Sequence, residues 1–265
     1  MNLFPIAVLT FVFCVAFPVG CDRDAVRSRE AQRTEKDSLN PLIAAAKSGN
    51  LTSVKRLLQD GADVNATDEA GYRALHYAAS GGHVRVVKAL LAAGANVNAV
   101  ANNGYTALHQ ATRCGELRVV QALLDAGADV DAKAEGSVTP LIYSIDMAWG
   151  KPEITLALIR AGADLNAADS QGHTALWIAT TESSKEVIEE LLRRGADPNT
   201  RYPKFTGNTP LHMAAMNGLS AEVELLLRYG ANAALRNAEG KTALDVANPK
   251  FPKIREMLQK HSQRG

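Results

Sequence analysis

The stretch at 104–132, "GYTALHQATRCGELRVVQALLDAGADVDA", restates with small changes the stretch at 71–99, "GYRALHYAASGGHVRVVKALLAAGANVNA", 33 residues earlier. A fixed period of this length constrains the fold more than any other feature of the chain. A unit of about 33 residues cannot enclose a core of its own, so its apolar face must be covered by the units before and after it. The leucine of the "ALH" element recurs as Leu75, Leu108, Leu141, Leu176, Leu211 and Leu244, at spacings of 33, 33, 35, 35 and 33. A second landmark, the glycine that follows "LL", recurs at Gly61, Gly94, Gly127, Gly162, Gly195 and Gly230, once before the first "ALH". The array therefore opens with an incomplete unit at about Asn40, and its last unit, ending in "IREMLQKH", lacks the glycine.

Each unit reads as two short helices and a turn. Thr106 offers a side-chain oxygen to the unpaired N–H groups of a helix start, and Ala or Pro follows it comfortably in the first turn. Thr139-Pro140, Thr174-Ala175, Thr209-Pro210 and Thr242-Ala243 repeat the arrangement. Small residues on the first helix (Ala78, Ala79, Ala111, Ala179, Ala214, Ala215) allow close approach of a neighbour. The second helix carries apolar residues at helical spacing, as in Val119, Val120, Leu123 and Leu124. Gly127 supplies a left-handed residue to end it. The following "ADVDA" alternates in the manner of a strand.

This pattern resembles the ankyrin repeat over about residues 40–261, most specifically in "TPLHMAAMNG" at 209–218 and in residues 61–99. The resemblance implies an all-α repeat solenoid with short β-hairpin turns, a stack of about seven units bounded at 40–70, 71–103, 104–136, 137–171, 172–206, 207–239 and 240–262. It also implies binding of other proteins through hairpin tips and the concave face of the first helices. Both ends of the array look finished. Asn40-Pro41 opens the first unit with Lys47, Lys55 and Arg56 to cover its outside, and Pro252 opens a last helix bearing Lys253, Arg255, Glu256, Gln259 and Lys260.

The beginning of the chain is of another kind. Residues 3–20, "LFPIAVLTFVFCVAFPVG", are uncharged and apolar, which suits a secretory signal or a membrane anchor and sets them outside the fold. The block ends Val19-Gly20-Cys21. That ending resembles the lipobox of bacterial lipoproteins, which implies lipidation of Cys21 as the first residue of the mature chain. Pro18 stands where that family usually has Leu, no Lys or Arg precedes the block, and Arg23, Arg27 and Arg29 follow it. An uncleaved anchor would keep those arginines cytoplasmic. Residues 21–39 read as a charged flexible tether. Together these features predict a chain in the bacterial cell envelope, membrane-anchored and facing the periplasm, or soluble in the periplasm or secreted.

Chemistry other than binding finds little support. A formal charge of +1 gives no electrostatic argument for nucleic acid. His76, His109 and His212 occupy one slot in different repeats. Packed helices stand about 8–10 Å apart, so neighbours in that set cannot both reach one zinc at about 2 Å. By the resemblance, these histidines hydrogen-bond backbone near the turn. Gly240-Lys241-Thr242 imitates the end of a phosphate loop, but Leu235 stands where that loop needs glycine. No catalytic residue, cofactor or metal is expected, and the chain is not read as an enzyme.

Candidate contact residues come from departures from the repeat and from position. Unit four carries a longer inter-helix segment, "SIDMAWGKPEI", with Asp146, Met147 and Trp149. Trp177 replaces histidine in unit five. The lengthened "TRYPKFTGN" before unit six brings Tyr202, Lys204 and Phe205. Equivalent tip and first-helix positions elsewhere are Glu69, Tyr72, Asn102, Asn103, Tyr105, Arg113, Gln171, His173, Met216 and Asn217, with Tyr72 and Tyr105 expected side by side on successive tips. Exposed aromatics favour interface centres, and loops on rigid scaffolds carry function. The competing reading is that Trp149 and Trp177 only fill volume where the repeat is irregular. The expected role is binding one envelope protein, as an inhibitor of a toxic enzyme in the manner of an immunity protein. The alternatives are a non-inhibitory scaffold and a periplasmic stress-response accessory protein.

Overall fold

The computed structural model describes residues 40–146, 151–182, 184–202 and 206–262. The apolar block, Cys21 and the charged segment lie outside the described residues, as do Met147, Trp149, Lys204 and Phe205; Asp146 is placed only in its backbone. Fourteen α-helices lie among the described residues, in seven pairs. They are α1 (Pro41–Lys47) with α2 (Leu51–Gln59), α3 (Ala74–Ser80) with α4 (Val84–Ala92), α5 (Ala107–Arg113) with α6 (Leu117–Asp125), and α7 (Pro140–Asp146) with α8 (Pro152–Arg160). Then follow α9 (Ala175–Thr181) with α10 (Lys185–Arg193), α11 (Pro210–Asn217) with α12 (Ser220–Arg228), and α13 (Ala243–Val246) with α14 (Pro252–Ser262). Among them, no helix is long and apolar enough to cross a membrane.

Odd-numbered helices pack on odd-numbered neighbours, and even on even. Residue choice explains the two layers. Ala78, Ala79, Ala111, Ala179, Ala214 and Ala215 are fully buried between odd helices, where a larger side chain would separate them. The even layer is filled by Val86, Val87, Leu90, Val119, Val120, Leu123, Ile188 and Leu191, all at most 2% exposed. Leu75, Leu108, Leu141, Leu176 and Leu211 run through the stack as one buried row. Each such burial contributes about 2–3 kcal/mol. The last unit breaks the row, because α13 spans four residues and Leu244 is only partly covered.

Caps fix where helices begin. Asn40 accepts from Leu42 and Ile43 N–H, with Pro41 in the first turn. Thr106, Thr139, Thr174 and Thr242 each accept from the N–H three residues on, at 3.3–3.4 Å. Gly127 ends α6 with φ 82°, and no atom stands within 4 Å of where a Cβ would be, so only its backbone conformation requires glycine. Gly71 is different, since a Cβ there would press on Asn102 of the next tip at 2.5 Å from Oδ1 and 2.9 Å from the backbone N.

The alternating "ADVN" segments do not form strands, contrary to their pattern. Their first acidic or amide side chain folds back onto the N–H two residues later, as Asp63 to Asn65 (2.8 Å), Asp129 to Asp131 (3.0 Å) and Asp197 to Asn199 (2.8 Å), an Asx turn that displaces strand geometry. The next amide or carboxylate then reaches along the stack. Asn65, Asn98, Asp131, Asn166 and Asn199 accept from the N–H of Asn96, Asp129, Asp164, Asp197 and Asn232, at 2.8–3.0 Å. This ladder ties each unit to its successor.

Candidate partner-binding face

The tips are narrow turns. Backbone bonds from Asp68 to Tyr72, Ala101 to Tyr105, Ala134 to Val138, Asp169 to His173, Tyr202 to Asn208 and Asn237 to Lys241 close them at 2.9–3.0 Å. Two of them, Thr67 with Arg73 and Ala168 with Thr174, add an isolated antiparallel bridge among the described residues. Tips also bond to one another, through Asn102 N–H to the Ala70 carbonyl (3.0 Å), Glu135 N–H to Asn103 (3.0 Å) and Ala238 N–H to Thr206 (2.8 Å). With Ser170 N–H to the Gly136 carbonyl (2.6 Å), backbone bonds join the tips from Asp68 to His173 and again from Tyr202 to Lys241, a ridge in two stretches from which tip side chains project.

The histidine slot locks each tip to the next. His76 Nδ1 accepts from Arg73 N–H (3.1 Å), so its Nε2–H donates, to the carbonyls of Ala99 and Tyr105 at 3.1 Å each. His109 accepts from Thr106 N–H and donates to Val138 (3.1 Å); His212 accepts from Thr209 N–H and donates to Lys241 (3.0 Å). Burial lowers the pKa of His76 and of His109 to about 4, and also lowers that of His212, so all three work as neutral rings. Among the described residues no group of three or more His, Cys, Asp or Glu could hold a metal ion.

In units two to four the candidates form a polar and aromatic network. Tyr72 is half-buried, edge-on to His76 (5.4 Å between centroids) and near Tyr77 (5.9 Å). Its hydroxyl accepts from Asn103 Nδ2 (2.9 Å) and Gln110 Nε2 (3.4 Å), and Arg113 donates to Gln110 Oε1 (2.9 Å). Tyr77 donates to Asp68 Oδ2 (2.7 Å). Tyr105 lies edge-on to His109 (5.3 Å) and Tyr143 (5.7 Å). Tyr72 and Tyr105 stand on successive, bonded tips; among the described ring contacts they do not touch each other, and each packs on the histidine four residues after it. Exposed Glu69 and Asn102 are joined by Asn102 Nδ2 to the Glu69 carbonyl (3.0 Å).

Unit five carries a second cluster. His173, Trp177 and Tyr202 contact one another in all three pairs, at centroid distances of 4.7–4.8 Å, with His173 and Tyr202 stacked at 14°. His173 Nδ1 stands 2.8 Å from Asp169 Oδ2. Burial alone would raise the pKa of Asp169, but hydrogen bonds from the His173 side chain and backbone outweigh it and hold the carboxyl below its usual value. Burial, and then the Asp169 charge, raise the Tyr202 phenol. The Trp177 indole N–H is buried with no hydrogen-bond partner among the described residues. Gln171 is exposed at the tip nearby.

Met216 and Asn217 end α11, both exposed, and Met216 Sδ lies 3.7 Å from Asn208 Nδ2. Asn208 in turn accepts from Asn237 (2.8 Å). Sequence reading passed over Tyr77, Gln110 and Tyr143, which follow the histidine slot in three successive units. That shared position was the signal available. It also passed over Asp169, whose contact with His173 spans one turn of chain.

A rigid row of paired helices with side chains presented along one ridge defines a class of protein that acts by surface complementarity. The particular family follows from comparison: family models described as ankyrin repeats match residues 42–134, 133–202 and 191–247, and the chain belongs to the ankyrin-repeat family. It is similar to the human ASB11 ankyrin repeat domain, at 33% identity and TM-score 0.68, covering 84% of this chain and 98% of that one. It is also similar to the ankyrin repeat domain of Bcl-3, at 30% identity and TM-score 0.76, covering 84% and 100%. "Ankyrin repeat and SOCS box protein 16" of Mus musculus is 36% identical over 118 residues, 42% of this chain and 25% of that protein. The chain spans 21–26% of the length of the first curated relatives it matches.

Proposed function

We propose that this chain is an exported, lipid-anchored ankyrin-repeat protein of the bacterial envelope that holds one protein partner against its tips and odd-numbered helices, and that its binding inhibits a toxic enzyme. The observation that carries the binding half is the ridge itself. Its candidate side chains are fixed by neighbours in adjacent units, as Tyr72 by Asn103 and Gln110 and His173 by Asp169 and Tyr202, so little order is lost on association. Export and anchoring rest on the apolar residues 3–20 and on Gly20-Cys21. A tether at the membrane suits interception of an enzyme that attacks membranes.

Affinity purification of the tagged chain from its own cells, with mass spectrometry of partner and N-terminus, tests both halves. One co-purifying hydrolase that loses activity at equal stoichiometry, with acylated Cys21, is the expected result. Several envelope proteins in low yield with no activity lost would replace inhibition with scaffolding, the second reading. An intact Met1 would overturn export.

A further inference from the structure

We infer that Arg113 is a carboxylate-binding position and that the partner presents an acidic side chain to it. This deepens the protein-binding reading above and rests on it. Arg113 closes α5, half-buried, and its Nε–H is enclosed with no hydrogen-bond partner among the described residues. A guanidinium can only donate; with Nε enclosed and Nη2 already donating to Gln110 Oε1, its terminal N–H groups are the ones an outside acceptor can meet. Several other arginines of the fold have partners. Arg193 and Arg194 hold Glu190 at 2.8 and 3.0 Å, Arg228 holds Glu224 at 3.3 Å, and Arg73 donates to the carbonyls of Asn65 and Val100. Among the described residues, no carboxylate forms an ion pair with Arg113. On the tip below, Asp68 is already occupied, by the N–H groups of Ala70 and Tyr72 at one oxygen and by the Tyr77 hydroxyl at the other.

The neighbours of Arg113 are oriented to match. Because Arg113 can only donate, Gln110 must turn its oxygen toward it and its NH2 toward Tyr72. Asn103 donates to the same hydroxyl. Tyr72 thus accepts two hydrogen bonds from within, and its own hydrogen is left for an outside acceptor. A guanidinium fork and a phenol O–H together offer donors only, the complement of an anionic oxygen pair. One arginine rather than a cluster suits a singly charged carboxylate better than a phosphate.

The probe is a phage-displayed random peptide library, selected in parallel on the immobilised full chain and on its Arg113→Met variant, with helix content checked by circular dichroism. Peptides selected on the unaltered chain are expected to share an acidic residue at one position. In a resynthesised peptide, replacing that Glu by Gln is expected to weaken binding about tenfold or more on the unaltered chain and less than twofold on Arg113→Met. Arg113→Lys retains part of the penalty. If Arg113→Met does not fold, Tyr72→Phe replaces it in the same cycle, with a smaller coupling expected. Peptides that bind without a shared acid, or an equal Glu→Gln penalty on the variant, overturn the inference. If those peptides are still lost on Trp177→Ala, the protein-binding reading stands without it. Failure to select any binder overturns both.

Discussion

Units two and three solve the tip-locking problem with a hydrogen bond, whereas unit five solves it with ring packing. His76 and His109 sit fully buried, each joining its own helix start to a carbonyl of the next unit. Trp177 occupies the equivalent slot but bonds no carbonyl, leaning instead on His173 and Tyr202. The longer loop before unit six accompanies the exchange. One slot can therefore serve rigidity, as in His76, His109 and His212, or present an aromatic surface, as in Trp177.

The largest effect that would sharpen this contrast is that of pH. His76 and His109 have folded pKa values near 4 against 6.5 for the ordinary side chain, so between those values the unfolded chain holds more protons. Their contribution is fully present above pH 6.5 and is lost as pH falls toward 4, at about tenfold in the folding equilibrium per pH unit for each ring. Urea unfolding at pH 7 and pH 4.5 is expected to show about a hundredfold loss per histidine. A flat profile would mean that these rings are not held neutral.

One substitution made in both slots would break the contrast or establish it. His109→Phe leaves Thr106 N–H and the Val138 carbonyl without their partner and is expected to cost about 2–4 kcal/mol. Trp177→Phe removes a donor that bonds nothing and keeps an aromatic ring, so stability is expected to stay within about 1 kcal/mol. Chemical denaturation of both variants measures the difference. Equal losses would show that ring volume, not the hydrogen bond, is what the slot provides. His109→Phe should also remove one ring's share of the pH dependence.

Legibility in the sequence followed the physics of each feature. Helix pairs, threonine caps and the buried leucine row were readable because period and local capping fix them within one unit. The "ADVN" segments were misread as strand-like, because alternation says nothing about a side chain that bonds its own backbone two residues on. The Tyr72–Asn103–Gln110–Arg113 network was legible only as separate contact candidates, with Gln110 missed. Its bonds between residues 31 and 38 apart depend on how units stack. The lone role of Trp177 could be suspected from a broken motif, but its unpaired N–H could not.

The Asn and Asp ladder supplies the finest version of the same comparison. Asn65, Asn98 and Asn199 each bond the next unit twice, accepting from a backbone N–H and donating to the carbonyl of Gly94, Gly127 or Gly230 at 3.3–3.4 Å. Asp131 accepts from Asp164 N–H in the same way at 2.8 Å but has no N–H to give Gly162. Its carboxylate also lies beside the C-terminal turn of α8, where the helix dipole disfavours negative charge. Asp131→Asn should therefore restore the second bond and relieve the repulsion, raising stability by about 0.5 kcal/mol. Asn98→Asp should lower it by a similar amount. Because the ladder is solvent-facing, both changes should shrink in high salt if repulsion dominates and persist if the restored hydrogen bond does. A loss of stability on Asp131→Asn would mean that the carboxylate's stronger acceptance from Asp164 outweighs the bond it cannot donate.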